Sequence, residues 1–99
     1  MNTVEYQTRA ESLRDDCFRI LEWFRYSCET TKDTVQRESS LQLLKAMHTS
    51  FERINKKLTT ELNLMELNGK APKTTALRLL AQLKTLRDEH IGNVPSQYQ

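Results

Sequence analysis

Apolar residues recur along this chain at intervals of three and four, the spacing that places them on one face of an α-helix. The first series is Tyr6, Ala10, Leu13, Cys17, Ile20, Phe24 and Cys28. The second series is Leu44, Met47, Phe51, Ile54, Leu58, Leu62 and Met65. The third series is Ala76, Leu79, Leu80, Leu83, Leu86 and His90. Because this alternation resembles the heptad seam of a coiled coil, the pattern predicts three amphipathic helices that pack along their seams.

Residues that favour helix ends separate the three series. We predict helices near residues 3–30, 33–68 and 72–91. Thr3 is the candidate N-cap of the first helix, and Asp33 with Gln36 three residues later has the spacing of a capping box at the start of the second. Gly69 would end the second helix because glycine accepts the left-handed conformation of a C-cap. The third helix could begin with Pro72 in its first turn, where proline loses no helical hydrogen bond, and Thr74 is the other candidate N-cap.

Short connections between consecutive helices predict that neighbours run antiparallel, as in an all-α three-helix bundle. The 99 residues include only two glycines and two prolines, too few for the turns of a β-sandwich or a Rossmann unit. We expect residues 1–92 to form one domain and residues 93–99 to be a disordered tail. The third helix is shorter than the other two, so part of their seam should remain uncovered.

Three aromatic side chains lie outside the seam of the first helix. At about 100° per residue, Phe18 and Trp23 leave the seam on opposite sides, and Tyr26 points away from it. Arg19 and Arg25 lie among them, and Trp, Tyr and Arg are the residue types enriched in binding hot spots. These five residues are therefore the candidate partner-binding surface. The alternative is that Phe18 and Trp23 pack against the other helices of their own chain.

Uncovered seam and off-seam aromatic residues together favour a non-enzymatic protein–protein interaction module, such as a small adaptor, chaperone or regulator. The partner is expected to be another protein, with a second copy of the same chain as the nearest choice. A homo-oligomer would then have Trp23 or Phe18 in its contact, because one antiparallel neighbour covers only the seam between them.

The charge distribution suggests a second class of function. Net charge is +2, but residues 1–40 carry six basic and eight acidic side chains, whereas residues 41–99 carry nine and five. The candidate anion-binding residues are Lys56, Lys57, Lys73, Arg78, Lys84 and Arg87. A small nucleic-acid-binding regulatory protein is the alternative function that they suggest. The competing interpretation is a solvated helix face, since no nucleic-acid-binding motif accompanies the charges.

The sequence offers little for catalysis, and we expect no enzyme activity, no cofactor and no metal. His48 and His90 are not spaced as zinc ligands with any cysteine. Adjacent carboxylates such as Asp15 and Asp16 diverge by 100° on a helix, so they do not form an acid–base pair. Cys17 has no neighbouring base that would activate it as a nucleophile.

Both cysteines are expected to be buried, reduced thiols. Cys17 and Cys28 lie roughly 16 Å apart along one helix, which is too far for a disulfide between them. No apolar run is long enough to span a membrane, and the first residues contain no apolar segment of a secretory signal. We therefore expect no membrane partner and a cytoplasmic protein, with the nucleus as the alternative.

A polar-rich chain of 99 residues in antiparallel helices is similar to small secretion chaperones, helical adaptor subunits and phage-encoded regulators. The likeness concerns composition and helix order, so no functional residue is transferred. The WxG signature of secreted helical-hairpin proteins is absent, because Trp23 is followed by Phe24 and Arg25.

Overall fold

The computed structural model describes residues 1–99 and contains three α-helices and one short 3₁₀-helix. Helix α1 spans Thr3–Thr30, α2 spans Thr34–Asn68, α3 spans Thr74–Ile91, and the 3₁₀-helix spans Ser96–Tyr98. The predicted all-α three-helix bundle is confirmed. No helix combines the length and the apolar character that crossing a membrane requires.

Helices α1 and α2 form an antiparallel hairpin. Early in α1, Arg14 Nη2 donates a hydrogen bond of 2.7 Å to Thr59 Oγ1, late in α2. Further along α1, the ring of Phe18 meets the ring of Phe51 edge-on, with 5.1 Å between the centroids. Later residues of α1 thus meet earlier residues of α2, as the short connection between them requires.

Helix α3 returns parallel to α1 and contacts both helices of the hairpin. The buried hydroxyl of Tyr6 donates a hydrogen bond of 2.6 Å to the carbonyl oxygen of Ala76, at the start of α3. Near the end of α3, Arg87 Nη1 lies 3.0 Å from Asp16 Oδ2. Burial, followed by the negative charge of Glu61, raises the pKa of Tyr6 to about 12.

The predicted seams supply almost the whole core. Eighteen residues are buried, and all of them are classed as hydrophobic. Only Cys28, Leu44, Leu62 and His90 among the predicted seam residues are partly exposed. Removing a large apolar side chain from water stabilises the fold by about 1.5–3 kcal/mol, so these seams account for the association of the helices.

Caps define the helix boundaries, in part as predicted. Asp33 Oδ1 accepts a hydrogen bond of 2.9 Å from the backbone N–H of Val35, and Gly69 ends α2 with a φ of 62°. The predicted N-caps of the other two helices are wrong by one residue. Asn2 caps α1 in place of Thr3, and α3 begins after Lys73, with no side-chain cap.

The segment 93–99, expected to be a disordered tail, is folded against the bundle. Val94 is buried in the core. The side-chain amide of Gln99 donates to two backbone carbonyl oxygens, those of Ile91 at 3.0 Å and Val94 at 2.7 Å. The difference from the expectation arises because the buried side chain of Val94, the two hydrogen bonds from Gln99 and a contact between the rings of Tyr98 and Trp23 fix this short segment. None of them follows a helical period.

The two ends of the bundle are covered differently. At the closed end, defined by Tyr6, Met65 and Ala76, all three helices meet and these side chains are buried. At the open end, defined by Cys28, the connection 31–33 and the beginning of α2, the third helix has already ended. Residues 34–39 are all exposed there. The prediction of uncovered seam therefore describes the open end.

Candidate functional site

Three aromatic rings lie in contact on the outer side of α1. The indole of Trp23 stacks on the ring of Tyr98, with centroids 4.8 Å apart and 28° between the ring planes. The ring of Tyr26 also contacts the indole, with 5.6 Å between the centroids and 39° between the ring planes. Together with Arg19 and Glu22, these rings line a groove that we call the aromatic groove. Tyr26 and Tyr98 remain 54% and 52% exposed.

Local structure explains how the rings meet. Trp23 and Tyr26 are three residues apart on α1, so their side chains are neighbours on the helix surface. Tyr98 comes from the segment after α3, where a turn begins at Gly92 and the 3₁₀-helix follows. The burial of Val94 and the two hydrogen bonds from Gln99 hold this segment beside α1.

The five residues predicted to bind a partner are divided between two surfaces. Trp23, Tyr26 and Arg19 line the aromatic groove. Phe18 and Arg25 lie on the other flank of α1 and line a second groove, toward α2. Phe18 is 47% exposed although its ring contacts α2. Trp23 is partly buried, and the ring stacked on it is Tyr98, from the segment 93–99 that was expected to be disordered.

Two further residues of the aromatic groove were not predicted. Glu22 lies within the aromatic stretch of α1 and could have been found by the same helical geometry that selected Arg19. Tyr98 could not have been found in that way, because no periodic pattern relates it to α1. An aromatic residue three positions after Pro95 in a short terminal segment was the only available signal.

The charged residues near the groove are only partly paired. Arg87 forms contacts of 3.0 Å with Asp16 and 2.8 Å with Asp88, and the hydrogen bond to Asp16 is the main reason that its pKa is raised. Arg19 lies 3.8 Å from the same Asp16 carboxylate, at the limit of an ion pair. Glu22 forms no ion pair within the chain.

The six candidate anion-binding residues do not form one surface. Lys84 lies 2.8 Å from Asp88, and Arg87 is paired with two carboxylates, so both charges are largely neutralised. Hydrogen bonds from Lys84 and then Arg87 lower the pKa of Asp88. Lys73 lies at the closed end, in a depression beside the end of α2.

Two of the six candidates, Lys57 and Arg78, face a groove between α2 and α3. Arg53, which was not among the predicted residues, lines an adjoining pocket that shares Arg78 and Gln82 with the first, so we describe the two pockets together as one groove; none of the three basic residues forms an ion pair. Lys56 is exposed but does not line it. Glu61 and Glu89 also lie along this groove, so its charge is mixed.

The two cysteines have different surroundings, and neither belongs to a metal-binding cluster. Cys17 is fully buried, and burial, followed by the charge of Asp16, raises its pKa to about 12. Its thiol therefore stays protonated near neutral pH. Cys28 is partly exposed, in contrast to the expectation that both thiols are buried, because it lies at the open end. No three His, Cys, Asp or Glu side chains are placed to hold a metal ion.

Comparisons with known proteins give no relative for this chain. No family model, no curated protein and no solved structure matches it.

Proposed function

We propose that this protein is a non-enzymatic interaction module that binds a partner protein through the aromatic groove. The observation that carries the proposal is the stack of Trp23, Tyr26 and Tyr98, in which two rings stay more than half exposed. Aromatic residues beside an arginine are typical of the centres of protein interfaces. Such rings offer a large contact area with few rotatable bonds, so binding orders few side chains.

The roles of the groove residues follow from their chemistry. Trp23 supplies apolar area and an indole N–H donor, and the hydroxyls of Tyr26 and Tyr98 can each donate and accept hydrogen bonds. Arg19 and Glu22 add one charge of each sign at the edge of the rings. A partner that buries this surface would combine an apolar contact with directional polar contacts, which is the usual construction of a specific interface.

Photo-crosslinking can test the proposal. We would introduce a benzophenone amino acid at Tyr26 and, as the matched control, at Thr49, which is also exposed but lies on the outer face of α2. The expected result is a discrete adduct from Tyr26 and none from Thr49. The captured protein would then be purified, and Tyr26→Ala should weaken its binding by about 30-fold, as for a hot-spot residue. Equal crosslinking at both positions, or affinity unaffected by Tyr26→Ala, would contradict the proposal.

A second candidate function is nucleic-acid binding along the groove between α2 and α3. The favouring observation is that Arg53, Lys57 and Arg78 line this groove without ion pairs. Arg53 and Lys57 are four residues apart, a like-charge spacing that weakens a helix and that a bound phosphate would relieve. Glu61 and Glu89 oppose this function, which is why it ranks second.

The salt dependence of binding tests the second candidate. Mixed-sequence DNA and RNA would be titrated at about 50 mM salt, where phosphate contacts are strong. Arg78→Glu should reduce the salt slope by about one unit per lost contact, whereas Lys84→Glu should change it little because Lys84 is already paired with Asp88. Absence of binding by the unmodified protein would eliminate this function.

A further inference from the structure

Resting on the proposed function, we infer that the occupant of the aromatic groove is a second copy of this chain, related by a two-fold axis that crosses α1 between Arg19 and Glu22. The inference names the partner of the same groove. It depends on the charge pattern that flanks the stacked rings.

The groove carries one exposed charge of each sign. Arg19 and Glu22 both line it, yet they form no ion pair with each other. Arg19 lies 3.8 Å from the carboxylate of Asp16, which Arg87 binds more closely, at 3.0 Å. Glu22 lies between this groove and the one that Arg25 lines, and it forms no ion pair in either. Both side chains are therefore accessible to a charge outside the chain.

A two-fold axis pairs these charges in both directions. Arg19 and Glu22 are three residues apart on α1, about 4.5 Å along the helix axis. When two antiparallel copies of α1 cross midway between them, Arg19 of each copy faces Glu22 of the other. A two-fold interface requires this kind of self-complementary patch, in which residue i contacts residue j and j contacts i.

The same axis brings the aromatic residues together. Trp23 is between two and three residues from the crossing point, about 4 Å along α1, so the two indoles lie near the centre of the interface. Tyr26 lies in the same groove about 8 Å from the crossing point along α1, so its ring extends the contact that the indoles make. A central tryptophan with a polar border is the arrangement that protein interfaces favour. A partner surface of a single charge would instead leave Arg19 or Glu22 facing a like charge.

Charge exchange provides the test. The molar mass of the unmodified protein would be measured by sedimentation equilibrium, from micromolar concentration up to about 1 mM. Arg19→Glu and Glu22→Arg should each weaken the dimer by at least about tenfold, because each places like charges opposite one another twice. An equimolar mixture of the two variants should recover the dimer, because both contacts are then of opposite charge. The double variant Arg19→Glu/Glu22→Arg should recover it as well.

Controls separate this inference from the proposed function. Lys56→Glu reverses an exposed charge on α2 that lines neither groove of α1, and it should leave the dimer unchanged, whereas Tyr26→Ala should weaken it; circular dichroism would verify that each variant folds. Dissociation by Lys56→Glu, or a mixture that fails to recover the dimer, would overturn the inference. A monomeric protein would also overturn it. In that case, crosslinking of a different protein at Tyr26 would leave the proposed function standing, and no adduct there would reject both.

Discussion

The closed end and the open end of the bundle are built from the same two long helices and differ in what the third helix covers. At the closed end, the hydroxyl of Tyr6 is buried and bonded to the carbonyl oxygen of Ala76. At the open end, Cys28 is partly exposed and Val35 is 79% exposed. Because α3 has 18 residues and α2 has 35, α3 cannot pack along the full length of α2. Where α3 ends, a short segment with Tyr98 replaces it beside α1.

The comparison implies that stability and binding are separated along the long axis of the molecule, with the core concentrated where three helices meet. The aromatic groove lies toward the other end, beside the last residues of α3. Aromatic rings that stay exposed contribute little to the free energy of folding. A small domain is only marginally stable, so the buried core must supply that free energy elsewhere.

The largest contrast should come from shortening one leucine in each region. Leu58 is fully buried, so Leu58→Ala should lower the free energy of unfolding by about 2–5 kcal/mol through lost burial and a residual cavity. Leu44 is partly exposed near the open end, and Leu44→Ala should remove only about 1 kcal/mol. Urea denaturation would measure both variants. Equal losses would contradict the difference in packing.

Thiol labelling should separate the two cysteines by more than about tenfold in rate, because Cys17 is buried and its raised pKa leaves it little thiolate, whereas Cys28 is partly exposed. Cys17 is fully buried with its pKa raised to about 12, whereas Cys28 is partly exposed at the open end. Mass spectrometry of the native protein after brief exposure to iodoacetamide would give both rates. Cys28→Ser and Cys17→Ser serve as controls for assignment. Faster reaction at Cys17 would show that the first-helix seam is wrongly placed.

Tyr6→Phe should cost about 1–2 kcal/mol at neutral pH, because the carbonyl oxygen of Ala76 loses its buried donor. The variant should also alter alkaline unfolding. The pKa of Tyr6 rises from 10.0 to about 12 on folding, so its contribution is complete below pH 10 and is lost as the pH rises toward 12. Thermal unfolding followed across that interval should fall less steeply in the variant than in the original protein. Parallel curves would exclude Tyr6 as a source of alkaline instability.

Substitutions at the two helix boundaries, one at each end, should have effects no larger than that of Tyr6→Phe. Asp33→Ala removes the N-cap of α2 at the open end and should cost about 1 kcal/mol. Gly69→Ala forces a side chain into a left-handed conformation at the closed end and should cost about 1–2 kcal/mol, although nothing blocks the added carbon. Calorimetric melting temperatures would compare the two. Stabilisation by either substitution would contradict the assigned cap.

The parts of the fold that could be predicted from the sequence are those encoded locally. Asp33 marks the start of α2 because its side chain can accept hydrogen bonds from the first backbone N–H groups, and Gly69 marks its end because glycine accepts a left-handed backbone. The seam of α1 follows from the spacing of residues such as Leu13 and Ile20. Phe18 and Trp23 were correctly assigned to opposite flanks, because helical geometry alone determines that direction.

The parts that could not be predicted depend on contacts between distant segments. Tyr98 reaches Trp23 because the segment that carries it is held against the bundle by the buried side chain of Val94, and neither Val94 nor Tyr98 belongs to a periodic pattern. The neutralisation of Arg87 depends on Asp16, which lies 71 residues away and in a different helix. The number of basic residues in the sequence therefore predicts a larger basic surface than the structure has. The grouping of Arg53 with Arg78 depends on the packing of α2 against α3, which the sequence pattern does not specify.

The hydrogen bond between Tyr6 and Ala76 also has a kinetic consequence. It closes a loop of 70 residues, whereas the contact from Arg37 to Thr31, beside the first connection, spans only six. Each doubling of loop length adds about 0.6 kcal/mol of chain entropy, so the closed end is about 2 kcal/mol harder to nucleate than the open end. During synthesis, α1 and α2 can pair from their connection before the third helix exists. The closed end, where all three helices pack together, is therefore the last region of the bundle to have all its helices synthesised.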